Sequence, residues 1–167
     1  MTLPSPRIIF ALVFAGCAGA MAAALYMEHV MGMEPCPLCV FQRVAVIAAG
    51  VIALIAALHN PAAPGVRVYG GLMILASIIG GILAGRQLWL QSLPEDQVPA
   101  CGPGLDYLLD VFSFAEVLQM VFAGDGTCAE VNWVFLGLTI PGWTMVGFVG
   151  LAAIGILQIL KPSPATA

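Results

Sequence analysis

A chain of 167 residues with 61% apolar and only 8% charged side chains, and a mean hydropathy of +1.03, lies far from the soluble mix, in which roughly a quarter of residues are charged. It is a membrane protein, and four spans of about 20 residues leave no room for a separate soluble catalytic domain of about 100. The formal charge of −4, with five basic residues that do not cluster, excludes a nucleic-acid footprint.

Apolar runs predict four transmembrane helices, over 8–27, 37–58, 68–90 and 139–160. At about 1.5 Å per residue, each is long enough for a hydrocarbon layer about 30 Å thick. Helix is preferred over strand because backbone donors in lipid must be satisfied within the segment. The expected architecture is therefore an all-α membrane protein, a four-helix bundle forming one domain over 1–167. In the first run, Arg7 and Ala18-Gly19-Ala20 also resemble a secretory signal with its cleavage site. Apolar character continues through Met27 without a polar break, so the run is read as a span.

The second and third spans are joined by a short turn over 59–67 containing Pro61 and Pro64. In the third span, Gly81 and Gly85 form a small-xxx-small pair and predict close helix packing. The third and fourth spans are joined by a long loop over 91–138, where function is expected to reside. Pro94, Pro99 and Pro103 indicate irregular backbone at its start. Over 105–122, Asp106, Asp110, Ser113, Glu116 and Gln119 recur at helical spacing, predicting one short helix on the membrane surface or packed against the bundle.

An even number of spans places both termini on one side with the 59–67 turn. Arg7, Arg67 and Lys161 fall on that side, as on a cytoplasmic face. Arg43 and Arg86 fall on the other, together with all nine acidic residues and the loops over 28–36 and 91–138.

Of the five cysteines, Cys17 is mid-span and reads as a small buried residue. Cys36, Cys39, Cys101 and Cys128 share the outer compartment, and a disulfide there implies an oxidising environment. With Cys36 as N-cap, Pro37 falls at N1 and Cys39 at N3, among unpaired backbone donors. The positive helix end, and Arg43 four residues on, favour a thiolate at Cys39. Zinc held by four thiolates would require paired knuckles, whereas 101 and 128 are 27 positions apart. Purely structural disulfides in a non-catalytic scaffold are the stronger alternative. Against it, a CxxC ring constrains almost no chain entropy, whereas closing 101 to 128 contributes about 3 kcal/mol. The first pair therefore reads as redox-active, and the acceptor available in lipid is a quinone, whose carbonyl oxygen Arg43 can face.

The run Glu34-Pro-Cys-Pro-Leu-Cys-Val-Phe-Gln-Arg43, with Cys101, Gly126-Thr-Cys-Ala-Glu130 and Phe135-Leu-Gly-Leu-Thr-Ile-Pro-Gly-Trp143, resembles the disulfide bond formation protein B (DsbB) family over essentially the whole chain. The resemblance implies a bacterial inner-membrane thiol:quinone oxidoreductase that reoxidises a periplasmic DsbA-type thiol oxidase and passes two electrons to ubiquinone or menaquinone. It assigns Cys101 as the residue attacked by the partner and Cys128 as its loop partner. The Cys36/Cys39 disulfide receives the electrons, Cys39 faces the quinone, and Arg43 supports quinone binding. Where some members carry a histidine near the outer end of the third span, this chain has Arg86-Gln87 and Gln91. Gln87 can donate to a quinone oxygen or face lipid headgroups, and Arg86 reads as a headgroup anchor.

Overall fold

The computed structural model describes residues 4–102, 104–131 and 133–160. Pro103, Lys161 and the remaining tail, with the expectations attached to them, lie outside those residues. Helices α1 (Pro6–His29), α2 (Pro37–His59) and α3 (Ala63–Gln91) precede the long loop, which contains α4 (Leu105–Val111), α5 (Phe114–Ala123) and α6 (Gly126–Ala129); α7 (Ile140–Leu160) follows it. The four long helices α1, α2, α3 and α7 are apolar and long enough to cross a membrane, and they coincide with the four predicted spans.

The largest boundary difference is at α3, which begins at Ala63 and not near 68. Pro64 occupies its first turn, where a missing N–H is harmless and φ is already helical. The 59–67 turn thus contracts to three residues, and Asn60 ends α2 in the left-handed region at φ 43°, a conformation asparagine tolerates.

Helix α2 packs against both α1 and α3, and α3 packs against α7. The buried positions Ala45, Ala49, Ala53, Ala56 and Ala57 keep the surface of α2 low, so backbones approach closely without a hydrophobic driving force from lipid. Along α3, Val66, Gly70, Met73, Ser77, Gly80, Ala84 and Gln87 are buried at alternating steps of four and three, the register of a helix–helix seam. A Cβ on Gly155 would lie 2.8 Å from the Gly70 carbonyl oxygen, and one on Gly80 would lie 2.2 Å from the Phe148 ring. Gly81 and Gly85 are off this stripe. A Cβ on Gly81 would meet only Met145 Sδ, at 4.0 Å, whereas one on Gly85 would lie 3.2 Å from Met145 Cε, so the predicted pair packs closely at Gly85, and the tightest contacts are at Gly70 and Gly80.

The single helix expected over 105–122 is two. Phe112 is extended, and Ser113 starts α5 with Glu116 Oε2 accepting from the Ser113 backbone N–H at 2.9 Å and from its hydroxyl at 2.7 Å. This reciprocal cap satisfies donors that a new helix end leaves unpaired. The hydrogen bonds hold the Glu116 carboxyl below its ordinary pKa. Ahead of α7, a hairpin of β1 (Val134–Phe135) and β2 (Leu138–Thr139) turns through Leu136 at φ 51° and Gly137 at φ 80°. Two successive positive φ values are what a two-residue turn matching strand twist needs.

Arg86 does not face headgroups. Its Nε donates to the Phe122 carbonyl at 2.9 Å and its Nη2 to the Ala123 carbonyl at 2.7 Å, while the guanidinium stacks 4.2 Å from the Trp89 ring centre. A cation thus closes the negative end of α5 and ties the loop to α3. Replacing Arg86 by Gln is expected to cost about 1 kcal/mol locally. Amide hydrogen exchange should rise about fivefold across α5 and α6 and stay unchanged in α2; uniform protection would show that the clamp is not what holds the loop.

Candidate active site

The first turn of α2 gathers three sulfurs. Cys36 is the N-cap, Pro37 occupies the first turn, and the Cys36 sulfur accepts the Cys39 backbone N–H at 3.4 Å. This is the local geometry expected from Cys-Pro-Leu-Cys. The two sulfurs lie 2.9 Å apart, and all five cysteines are unbridged. The third sulfur is that of Cys128 on α6, fully buried and packed beside Cys36 and the Leu38 backbone N–H, another unpaired donor of that first turn.

Helix α6 aims Cys128 because Asp125 caps it: the carboxylate accepts from the Cys128 N–H at 3.2 Å and from the Thr127 hydroxyl at 2.5 Å. In the reduced cluster, the bond between Cys36 and Cys128 drives the two thiols apart. The neighbouring Cys128 and Cys39 sulfurs and burial push Cys36 well above the ordinary thiol range. The hydrogen bond from Cys36, aided by backbone donors and opposed by burial, brings Cys128 below it. The proton is therefore held more firmly on Cys36, and Cys128 is the more readily ionised of the two.

Cys101 stands apart and is exposed. Its segment packs against Gly126, whose N–H donates to the Ala100 carbonyl at 3.3 Å. A Cβ on Gly126 would lie 2.9 Å from both Cys101 Sγ and the Pro99 carbonyl oxygen, so only glycine lets the accessible cysteine come up to the helix that carries Cys128.

Arg43 is on the predicted face of α2, but α1 supplies its partners. Nη1 donates to the Glu28 carboxylate, and Nη2 donates to the Ala24 carbonyl at 3.3 Å. Gln87, one of two roles left open by the sequence, does not reach headgroups: it is 4% exposed, and its Nε2 lies 3.3 Å from Cys36 Sγ and 3.2 Å from Cys39 Sγ. Gln42 and Thr144, not singled out in the sequence, complete the polar cluster. Gln42 donates to Gln87 Oε1 and accepts from the Thr144 hydroxyl, both at 2.7 Å.

Cys36, Cys39, Arg43 and Gln87 border a cavity of about 800 Å³, within the usual size for small-molecule sites of ~300–1,000 Å³. It runs from Trp133, Phe135 and Trp143 at the loop end, between α1 and α7, down to Ile9 and Ile154. Trp143 donates to the Phe135 carbonyl at 3.0 Å and Trp133 stacks on Phe135, so the hairpin forms one wall of the polar end. Polar groups at one end of a long apolar groove suit an amphipathic molecule with a polar ring and a hydrocarbon tail.

Comparison with known proteins gives one consistent result. The family model described as "Disulfide bond formation protein DsbB" matches residues 6–158. Disulfide bond formation protein B of Saccharophagus degradans is 56% identical over 159 residues, covering 95% of this chain and 96% of that protein. The Marinobacter nauticus protein of the same name is 58% identical, covering 93% and 92%. That of Stutzerimonas stutzeri is 47% identical, covering 96% and 99%.

Proposed function

The chain belongs to the disulfide bond formation protein DsbB family, a family of disulfide-forming oxidoreductases of the bacterial membrane, and from that premise we propose that it moves electrons from a DsbA-type periplasmic thiol oxidase through four cysteines to a membrane quinone. The observation that carries this reading is the contact of Cys128 with Cys36, which joins the accessible loop to the sulfur pair at the cavity.

Starting with Cys101–Cys128 and Cys36–Cys39 as disulfides, a thiolate of the reduced partner attacks Cys101 Sγ. A mixed disulfide forms, the 101–128 bond breaks, and Cys128 leaves as thiolate. Cys128 then attacks Cys36 Sγ; a 36–128 bond forms, and the electron pair of the broken 36–39 bond goes to Cys39. The partner's second thiolate resolves the mixed disulfide, departing oxidised and releasing Cys101. Attack of Cys101 on Cys128 restores the loop disulfide and leaves Cys36 and Cys39 as the reduced pair. Each exchange is thiolate on disulfide, so two electrons move and none are lost.

A bound quinone, ubiquinone or menaquinone, supplies the acceptor, taking two electrons and two protons. Cys39 and Arg43 would border its ring and α1 and α7 its tail. A DsbA-type disulfide is already strongly oxidising, at about −120 mV for DsbA itself, so only an acceptor at higher potential can drain the pair. In this reading both termini are cytoplasmic, and the loops over 28–36 and 91–138 are periplasmic. The test is anaerobic: reduced DsbA, purified protein and quinone are mixed and quinone absorbance followed. Stoichiometric quinol is expected, and none would reject the proposal.

A further inference from the structure

Three side chains that the relay leaves idle form a polar line from α7 into the sulfur pair. The Thr144 hydroxyl donates to Gln42 Oε1 at 2.7 Å, and Gln42 Nε2 donates to Gln87 Oε1 at 2.7 Å. Gln42 and Gln87 are each 4% exposed. Buried amides need partners at both ends, and here each partner dictates the next. With the threonine proton on Gln42 Oε1, the nearer of its two acceptors, the other being the Pro141 carbonyl at 3.0 Å, Gln42 presents its NH₂ group to Gln87. Gln87 Oε1 is thereby occupied, leaving the Cys39 thiol only a longer approach to it, at 3.5 Å, and the Gln87 NH₂ group lies nearer sulfur, at 3.3 Å from Cys36 and 3.2 Å from Cys39. An amide nitrogen carries two hydrogens, one for each sulfur.

We propose that Gln87, held by Gln42 and Thr144, is a positioning residue for the Cys36/Cys39 pair and not a ligand of the quinone. The inference rests on reading that pair as the redox centre. When Cys128 attacks Cys36, the 36–39 bond breaks and its electron pair goes to Cys39. The Gln87 N–H groups are already in place to receive that charge, and a better-stabilised leaving sulfur departs faster. Preorganisation is what the line through Gln42 to Thr144 adds: the amide cannot exchange the places of its oxygen and its NH₂ group without breaking the bond to Gln42.

The test uses the full chain in detergent, fully reduced and without quinone. Alkylation of Cys39 by iodoacetamide is followed by peptide mass mapping as a function of pH, with Cys101 as internal reference. Near neutral pH, Gln87→Leu should lower the Cys39 rate about tenfold relative to Cys101, equivalent to one pH unit of lost thiolate stabilisation. Thr144→Val leaves every group beside the sulfurs in place and should lower it about threefold. In both variants the rate should return to the wild-type level at alkaline pH, where the thiol ionises unaided; a merely disrupted site would not recover. Unchanged alkylation, or a loss persisting at alkaline pH, overturns the proposal. So does unchanged alkylation with a raised quinone KM in Gln87→Leu, which would make Gln87 a quinone ligand. Failure of the underlying reading shows separately, as absence of quinone reduction by the wild-type protein.

Discussion

Replacing Cys128 by serine is expected to reduce partner-dependent turnover to below about a thousandth of wild type, because the substitution removes a nucleophile and a disulfide together. Cys101 then has no S–S bond for the reduced partner to attack, and a serine hydroxyl at neutral pH cannot open the 36–39 bond. The wild-type chain gives the complementary result with a partner retaining only its attacking cysteine. The mixed disulfide through Cys101 then has no second partner thiol to resolve it, and mass mapping should find Cys128 bonded to Cys36 with Cys39 as a free thiol. Finding Cys128 free in that complex, or bonded to Cys39, would show that the Cys36 contact is not the route. The sign of the pH dependence follows from the same contact. In the reduced cluster Cys128 sits below the ordinary thiol range, so its thiolate persists as pH falls until that lowered value is passed. Once a small disulfide has capped the exposed Cys101, closure of the Cys101–Cys128 bond should therefore decline at lower pH than the ordinary thiol pKa of about 8.5 would dictate.

Much of this site is local, and local features are legible in a sequence. Cys36-Pro37-Leu38-Cys39 specifies its own N-cap, since proline at the helix start and a side-chain acceptor before it need nothing from the rest of the chain. The four spans follow from length and hydropathy alone. What is not legible is which of several partners a long polar side chain takes. The four-residue spacing from Cys39 gives the face of Arg43, yet its hydrogen bonds go to Glu28 and Ala24 on α1, a choice made by helix packing. Arg86 caps α5, 36 positions away in sequence, a contact beyond any periodic pattern.

Two signals could have been used. Gln87 continues the step of four and three from Val66 through Ala84, which puts it on the buried seam and away from headgroups. Ser113 and Glu116 stand three apart, the spacing of a capping box, which separates the loop helix into two. Gly81 and Gly85 stand one residue out of register with the seam, so their spacing leads to close packing at Gly85, against Met145, and not at Gly81.

Arg43→Ala is expected to lower quinone-dependent turnover by about 10²-fold, the usual cost of removing one preorganised donor from a site where negative charge develops. The partner-facing end of the relay should be unaffected: formation of the mixed disulfide through Cys101, which precedes the departure of Cys39, uses only sulfurs, so its rate should stay within about twofold of wild type. Arg43→Lys should recover only part of the loss. The guanidinium makes two directed contacts with α1, through Nη1 to Glu28 and Nη2 to Ala24, and an ammonium on a flexible stem cannot reproduce that fork. Glu28 decides what the arginine can do. Its carboxylate offsets the positive charge at the groove wall and fixes the guanidinium between α1 and α2, so Glu28→Gln keeps a hydrogen-bond acceptor and loses the ion pair. If Arg43 works by position, Glu28→Gln should raise KM for quinone with a smaller change in kcat. If it works by net charge alone, the same substitution should leave KM unchanged or lower it, since the cation is then less neutralised. Equal turnover in Arg43→Ala and wild type would remove Arg43 from the mechanism and leave the helix end and its amide neighbours as the only stabilisers of charge at Cys39.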